Sequence, residues 1–298
     1  MKTKRTFSLS QKGKVLAFCL GEKTKAFMPT SFLARAAMTL LVMMLTTATA
    51  WATIGGTGTP SDPYTINSAE DWNTFASNVN NGTTYENLNV KLTTDISVTA
   101  MVGTSDNPFK GTFDGNGKTL TVTIDGAEVK CAPFHFVNGA TIKYLHVDGS
   151  ITSTCSFSAG IIGEILEGTV NIKNCISSVT ITNNGGSYSN AGLVGRLTNG
   201  SVTIENCLFN GDLHQGNSTY EYNAGMLGWG ESSTYITFKH CLFAPSGTSM
   251  YHGDGRTFRR GNSSSTMTDC YYTVSFGEIQ GQAVEDMTNE QLAAALGD

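Results

Sequence analysis

The chain has 298 residues, of which 40% are hydrophobic and only 14% are charged, and it contains 33 glycines and 7 cysteines. The hydrophobic content supports a packed core and excludes an intrinsically disordered chain. The low charge and the many glycines exclude long solvated helices and coiled coils. The abundance of Asn, Thr, Ser and Gly favours strands joined by turns.

The formal net charge of −5 is unevenly distributed along the chain. Eight of the 19 basic residues and one of the 24 acidic residues lie in residues 1–52, which leaves 11 basic and 23 acidic residues in the remainder, a net charge of −12. Binding to nucleic-acid phosphates needs clustered Lys and Arg. The acidic remainder therefore argues against a nucleic-acid partner.

The N-terminal segment, residues 1–52, has the pattern of a signal peptide. An apolar stretch, Ala37–Leu45, follows the basic residues and precedes Ala50-Trp-Ala52, which fits the small-x-small cleavage pattern. We predict cleavage after this motif, with Met28 as an alternative start. The apolar stretch is shorter than the roughly 20 residues that span a bilayer. No second stretch could anchor the mature chain, so the sequence predicts a secreted or cell-surface protein without a membrane span.

Three similar segments repeat in the second half of the chain. Each has a Gly-x-x-Gly motif followed by a short alternating segment that ends in Cys. They are Ala159-Gly-Ile-Ile-Gly163 with Val170–Cys175, Ala191-Gly-Leu-Val-Gly195 with Val202–Cys207, and Ala224-Gly-Met-Leu-Gly228 with Ile236–Cys241. Their first residues are 32 and 33 positions apart, and degenerate copies begin at Ala132 and end at Cys270. A fixed repeat of this length is typical of stacked solenoids.

Within one copy, apolar and polar residues alternate as in a strand with one buried face. Val202, Ile204, Cys207 and Phe209 are the apolar positions, and the alternation slips by one residue at Asn206. Asn tolerates the left-handed backbone of a tight corner, so we predict a corner at this slip. The equivalent corner residues are Asn174, His240 and Asp269. The recurring second glycine predicts close approach of a neighbouring backbone or a large side chain.

These observations predict an all-β fold, a right-handed single-stranded parallel β-helix with short capping helices at its ends. A β-sandwich of hairpins is the alternative, but it requires Asn-Gly or Asp-Gly turns at regular two-residue gaps. We assign a capping segment to residues 53–86, coils to 87–276 and a tail to 277–298.

Two segments have the pattern of capping helices. Ser68 is a plausible N-cap, and four apolar residues with helical spacing follow it, which predicts a helix over 68–80. A capping-box pattern, Thr288-Asn-Glu-Gln291, predicts a second helix over 288–296. Such helices could cover the open ends that every solenoid has.

The repeats resemble a known family. Gly192-Leu-Val-Gly195 has the Gly-Leu-hydrophobic-Gly signature of GLUG-motif repeats, and Gly160–Gly163 and Gly225–Gly228 are close variants; the similarity covers roughly residues 130–275. The region around Phe109–Lys118 is also similar to the beginning of such proteins from gut Bacteroidales. The resemblance implies a secreted or surface β-helical protein, either adhesin-like or similar to the non-catalytic parts of IgA-protease-type metallopeptidases. It implies architecture and compartment rather than an activity.

Four of the six cysteines that follow the leader, Cys175, Cys207, Cys241 and Cys270, share one position of the repeat. Adjacent β-helix coils lie about 4.8 Å apart. We therefore expect a ladder of reduced thiols in the core, with disulfides as the alternative. No CxxC or paired-His spacing accompanies the ladder, and we predict no metal site and no other cofactor.

Variable loops precede the Gly-x-x-Gly motifs and carry aromatic residues. Loops that leave the same corner of successive coils stack along one edge, where aromatic rings can bind carbohydrate or a host or matrix protein. The candidate ligand-binding residues are Tyr188, Tyr220, Tyr222, Trp229 and Tyr251, with a basic cluster of Arg256, Arg259 and Arg260. The alternatives are that the tyrosines pack over coil edges and that the arginines belong to a solvated terminal coil.

Polysaccharide lyases and hydrolases also use parallel β-helices. They need clustered carboxylates, or acidic calcium ligands beside Arg or Lys, whereas the acids of these repeats are scattered. Glu164 and Arg196 occupy equivalent positions in adjacent coils, which predicts an outward-facing cross-strand pair. The sequence therefore favours an exported, non-catalytic, adhesin-like binding protein. The alternatives are a polysaccharide-degrading enzyme and a structural spacer of a larger surface protein.

Overall fold

The computed structural model describes residues 54–126, 130–154, 156–184, 189–215, 223–247 and 255–286. They are mostly β, and parallel strands stack as a solenoid of about 6 turns. The predicted parallel β-helical architecture is confirmed. Within the described residues every pairing between named strands is parallel, which excludes a sandwich of hairpins.

The solenoid is built from 21 strands that form two sheets. The strands before the repeats are β1 (Tyr64–Ile66), β2 (Asn89–Leu92), β3 (Ile96–Val98), β4 (Thr112–Gly126), β5 (Phe134–Asn138) and β6 (Thr141–Ser153). Those of the repeats are β7 (Ile162–Glu167), β8 (Thr169–Lys173), β9 (Ile176–Ser177), β10 (Thr180–Asn183), β11 (Val194–Leu197), β12 (Ser201–Glu205), β13 (Leu208–Phe209), β14 (Asp212–Gln215), β15 (Leu227–Gly230), β16 (Tyr235–Lys239), β17 (Leu242–Phe243), β18 (Arg259–Gly261), β19 (Ser264–Thr268), β20 (Tyr271–Tyr272) and β21 (Gln282–Ala283). A small sheet contains β5, β7, β11, β15 and β18, and the other 16 strands form a large sheet.

Adjacent coils are stacked in register. Ala159, Ala191 and Ala224, which begin the three repeats, bridge one another directly. Strands β8, β12, β16 and β19 then pair residue for residue. Each residue therefore lies beside its equivalent in the next repeat, and the alignment of the repeats is also the alignment of the coils.

Each predicted corner is present. Asn206 and Asn174 have φ angles of 52° and 53°, and His240 and Asp269 have 49° and 50°, all in the left-handed region. Tyr144 occupies the same corner in the preceding coil, with φ of 50°. Since one left-handed residue turns the chain between two short strands, both strands keep their apolar residues in the core.

The second glycine of each Gly-x-x-Gly motif is required by contact with the neighbouring coil. A Cβ on Gly195 would overlap the carbonyl oxygen of Phe157, and a Cβ on Gly163 would overlap that of Lys130. Phe157 and Lys130 are themselves in the left-handed region, with φ of 67° and 66°. The segment that leads into one coil therefore folds back and rests its backbone on the small sheet of the next coil.

The first glycine of the motif makes room for aromatic rings in the core. A Cβ on Gly192 would overlap the ring of Phe209, and a Cβ on Gly225 would meet that of Phe243. These two rings stack with their centroids 5.8 Å apart and their planes 9° apart. Both glycines of the motif are thus explained by packing between coils.

The four repeat cysteines lie at equivalent positions of successive coils. Each is at most 2% exposed, and none forms a disulfide. Burial raises the pKa of the Cys207 and Cys241 thiols well above its usual value. Cys270 ends the ladder, and a hydrogen bond from Cys241 lowers the pKa of its thiol. The sulfurs are chemically distinct although the residues are equivalent.

The helix α1 (Ala69–Asn80) packs on the first coils, one residue shorter than the predicted segment. The Ser68 hydroxyl accepts a hydrogen bond from the backbone N–H of Asp71, as an N-cap does. Trp72 packs edge-on against Phe113 and Phe134, with ring centroids 5.8 and 5.7 Å apart. The helix therefore buries its apolar face on the aromatic core.

Some predictions concern other parts of the chain. The leader 1–52 and the helix over 288–296 lie outside the described residues. Within the described ranges, α1 is accompanied only by a short 3₁₀ turn, Val284–Asp286. No helix in this part of the chain has the length and apolar character needed to cross a membrane.

Substitution of Gly195 by Ala should destabilise the fold. Because a Cβ would displace the backbone at Phe157, we expect the free energy of unfolding in urea to fall by about 1–3 kcal/mol. Gly55→Ala is the matched control, since its Cβ would meet only the Thr65 hydroxyl, and it should change stability by less than about 0.5 kcal/mol. Equal stability of both variants would contradict the proposed backbone contact.

The thiol ladder predicts graded reactivity. In the folded protein at about pH 8, iodoacetamide should alkylate Cys270 before Cys207 or Cys241, because the thiolate is the nucleophile and burial disfavours it in the latter two. Mass spectrometry of peptides after timed labelling measures the order. All three should label fully in urea without reductant, and failure to do so would indicate a disulfide.

Candidate ligand-binding site

The segments that lead into the small sheet leave from one edge of the solenoid. The Asn190 side chain accepts a hydrogen bond from the backbone N–H of Ser158 at 2.9 Å, and Asn223 accepts one from Asn190 at 3.0 Å. Both asparagine side chains are buried. This asparagine ladder fixes the bases of successive loops one above another, as the repeat spacing predicts.

The aromatic residues predicted on these loops, Tyr188, Tyr220, Tyr222 and Tyr251, lie outside the described residues. The structure describes only the residues that flank these loops. The flanking residues are 184 and 189 at the first loop, 215 and 223 at the second, and 247 and 255 at the third. An aromatic edge therefore stays a prediction from the sequence. All residues of β7, β11 and β15, the central strands of the small sheet, are described. The outer side of these strands carries a second group of candidate residues.

A column of large side chains crosses the outer side of the small sheet. Arg196 is in register with Glu164 on one side and with Trp229 on the other. The neighbouring columns, which include Val194 and Leu197, are fully buried in the core. The predicted register of this column is present, and its side chains project away from the core.

Glu164 pairs with Arg196 on the outer side of the sheet, as the sequence predicts, but it is enclosed by neighbouring side chains rather than exposed. Its carboxylate is only 3% exposed, because Lys130 and Arg196 form ion pairs with it and the Thr198 hydroxyl donates to it. Lys130 also lies over the ring of Phe136, 5.2 Å from its centroid. Removal of a carboxylate from water is costly unless it is paired and hydrogen-bonded, and three donors meet that requirement here.

Arg196 is held from three directions. Its guanidinium lies 3.5 Å from Glu164 and 2.6 Å from Glu231, and it stacks over the ring of Phe157 at 5.4 Å. The Phe157 ring reaches this position because its backbone rests on Gly195. Arg196 nevertheless keeps 29% of its side chain exposed, so it is both fixed in position and accessible.

Glu231 joins Arg196 and Trp229 into one unit, which we call the platform. Hydrogen bonds from Arg196 and, to a smaller extent, from Trp229 hold the pKa of the Glu231 carboxyl below its usual value. The platform thus combines a partly exposed aromatic ring, a cation and an anion in a fixed arrangement.

The three arginines of the predicted basic cluster have separate environments. Arg256 pairs with Glu278 at 2.7 Å. Arg259 is in register with the core residue Leu227, and its guanidinium bonds Ser265 at 3.0 Å across the inside of the last coil. Burial lowers the pKa of Arg259. Arg260 follows on β18 and also has an interaction partner.

Lys130, Phe157 and Glu231 belong to the site but are not identified by the sequence patterns. Lys130 and Phe157 each stand two residues before the alanine that begins a copy, Ala132 or Ala159. That shared offset is the signal that could have identified them. No group of three or more His, Cys, Asp or Glu in the described part of the chain is arranged to hold a metal ion.

Comparison with known proteins gives one structural similarity. No protein-family model and no curated protein matches the chain. A crystal structure of a protein from Bacteroides ovatus, described as a candidate immunoglobulin A1 protease, aligns with 81% of this chain and 88% of its own, at 18% identity and a TM-score of 0.48. Similarity at this level does not bear on the activity of the present chain.

Titration of Glu231 should be visible in Trp229 fluorescence. Because the pKa of the Glu231 carboxyl is lowered, this group should stay charged near the Trp229 ring until the pH falls below the usual pKa of Glu, about 4.3. Arg196→Gln removes the largest cause of the shift and should raise the midpoint. Subtraction of the Trp229→Phe signal isolates this ring from Trp72. An unchanged midpoint in Arg196→Gln would contradict the assigned hydrogen bonds.

Proposed function

We propose that this chain is a binding module of an exported surface protein of the GLUG-repeat type, without enzymatic activity of its own. It recognises glycans or a host or matrix protein through the platform and the adjoining loop edge. The observation that carries the proposal is the platform itself. It places the aromatic ring of Trp229 beside Arg196, a cation that is paired with Glu231, on the outer side of the small sheet.

A fixed aromatic group surrounded by polar groups is what a recognition surface needs. Aromatic side chains and Arg supply much of the binding energy at protein interfaces, and sites on rigid elements hold their geometry better than sites on loops. Here the ring and the guanidinium lie on adjacent strands of a sheet that is in register through β7, β11 and β15. These side chains should therefore lose little conformational freedom when a ligand binds.

The acids of this region support binding rather than catalysis. Glu164 is enclosed by two cations, and Glu231 is bonded to Arg196 and Trp229. On the large sheet, Glu205 lies 2.8 Å from Lys173, and that hydrogen bond lowers the pKa of the Glu205 carboxyl. A general acid needs a pKa near the working pH, and the lowered pKa values of Glu231 and Glu205 move these two carboxylates away from it.

Binding should depend on the aromatic residues of this side. On an array of glycans and matrix proteins, we expect Trp229→Ala and the double variant Tyr220→Ala/Tyr222→Ala each to weaken retention about tenfold, because stacked aromatic anchors are lost. Tyr144→Ala is the control, since Tyr144 is 48% exposed on β6, a strand of the large sheet that carries no platform residue.

Three results would argue against this function. Unchanged retention of both aromatic variants would show that the ligand does not bind at the proposed surface. Cleavage of acidic polysaccharides by the wild-type protein, with or without calcium, would show an enzyme instead. A protein that binds nothing on the array would favour the structural-spacer alternative.

A further inference from the structure

We infer that the platform binds a neutral pyranose sugar, stacked on the indole of Trp229 with its hydroxyl groups bonded to Glu231 and Arg196. This inference rests on the proposed binding function and adds the chemical class of the ligand. It is argued from the charge balance of the site, from its unused hydrogen-bonding capacity and from the position of the ring.

The charged groups of the platform neutralise one another. Arg196 pairs with both Glu164 and Glu231, and Lys130 pairs with Glu164, so two cations face two carboxylates. An anionic ligand on Trp229 would have to displace Glu231 from Arg196 or lie beside its negative charge, and like-charge contacts are costly. A neutral ligand meets neither obstacle.

The other arginines of this side do not provide an open anion site. Arg256 is paired with Glu278, and Arg259 is turned into the last coil toward Ser265. Arg260 also has a partner within the protein. The basic cluster that the sequence suggests as a site for anionic sugars is therefore dispersed among contacts within the protein itself.

The platform has capacity for hydroxyl groups. A guanidinium carries five N–H donors and a carboxylate about four acceptor sites, and Arg196 and Glu231 remain 29% and 34% exposed. Adjacent sugar hydroxyls can donate to the carboxylate and accept from the guanidinium at the same time. Such bonds to charged groups are stronger than bonds between neutral groups, and they form without breaking the ion pair.

The aromatic ring supplies the remaining contact. A pyranose presents an apolar face of C–H groups, which pack against the electron-rich face of an indole. Trp229 is partly exposed, and the register of its strand places it beside Arg196, which is paired with Glu231. The hydroxyls and the apolar face of one sugar ring can therefore be bound together.

The test is binding of the purified protein to immobilised neutral oligosaccharides of glucose, mannose and galactose, beside oligogalacturonate and heparin oligosaccharides. We expect binding to at least one neutral probe, unchanged between about 0.05 and 0.5 M salt because no charge attraction is involved. Trp229→Ala should weaken it about tenfold or more, and Trp229→Phe, which keeps a ring, should weaken it less. Tyr144→Ala should bind like the wild type, and urea unfolding checks that every variant is folded.

Other outcomes separate this inference from the proposed function. Binding only to the acidic probes, with an affinity that falls as salt rises, overturns the neutral ligand and leaves the binding function in place. Binding to a neutral probe that survives Trp229→Ala removes the platform as the sugar site. If no sugar is bound while a matrix protein is retained, the ligand class is wrong and the protein-binding alternative holds.

Discussion

The stacking of coils in register is the constraint on which the rest of the structure depends. Each strand hydrogen-bonds its equivalent in the next repeat, so within the three repeats a side chain has as its neighbour the residue 32 to 34 positions away. Equivalent residues of successive coils therefore form columns, and all residues of one column share the same environment. Phenylalanine rings stack over glycines, thiols line the core, and left-handed residues collect at one corner.

This constraint explains why much of the fold can be predicted from one sequence. Repeats that recur at a fixed interval determine which residues are neighbours, and period-two alternation shows which of them face the core. The slip at Asn206 marks a corner because two inward-facing strands can be joined there only by a change of backbone direction. The register of Glu164 with Arg196 follows from the same alignment.

The remaining features depend on contacts between different columns, which the alignment does not contain. Lys130 belongs to a connecting segment, so its cover over Glu164 and the resulting burial become visible only in three dimensions. Glu231 bonds Arg196 from 35 positions away, just after the end of β15 and in a different column. Arg259 and Arg260 are adjacent in sequence, yet the register places Arg259 in the core column of Leu227.

The contact between each connecting segment and the small sheet has an evolutionary consequence. The segment rests on the glycine through its carbonyl oxygen, a group that every amino acid has, and Lys130, Phe157 and Ser189 all make this contact. The backbone contact itself therefore does not depend on the identity of the side chain. Substitutions at this position can alter the chemistry of the outer surface while the backbone contact beneath it is kept.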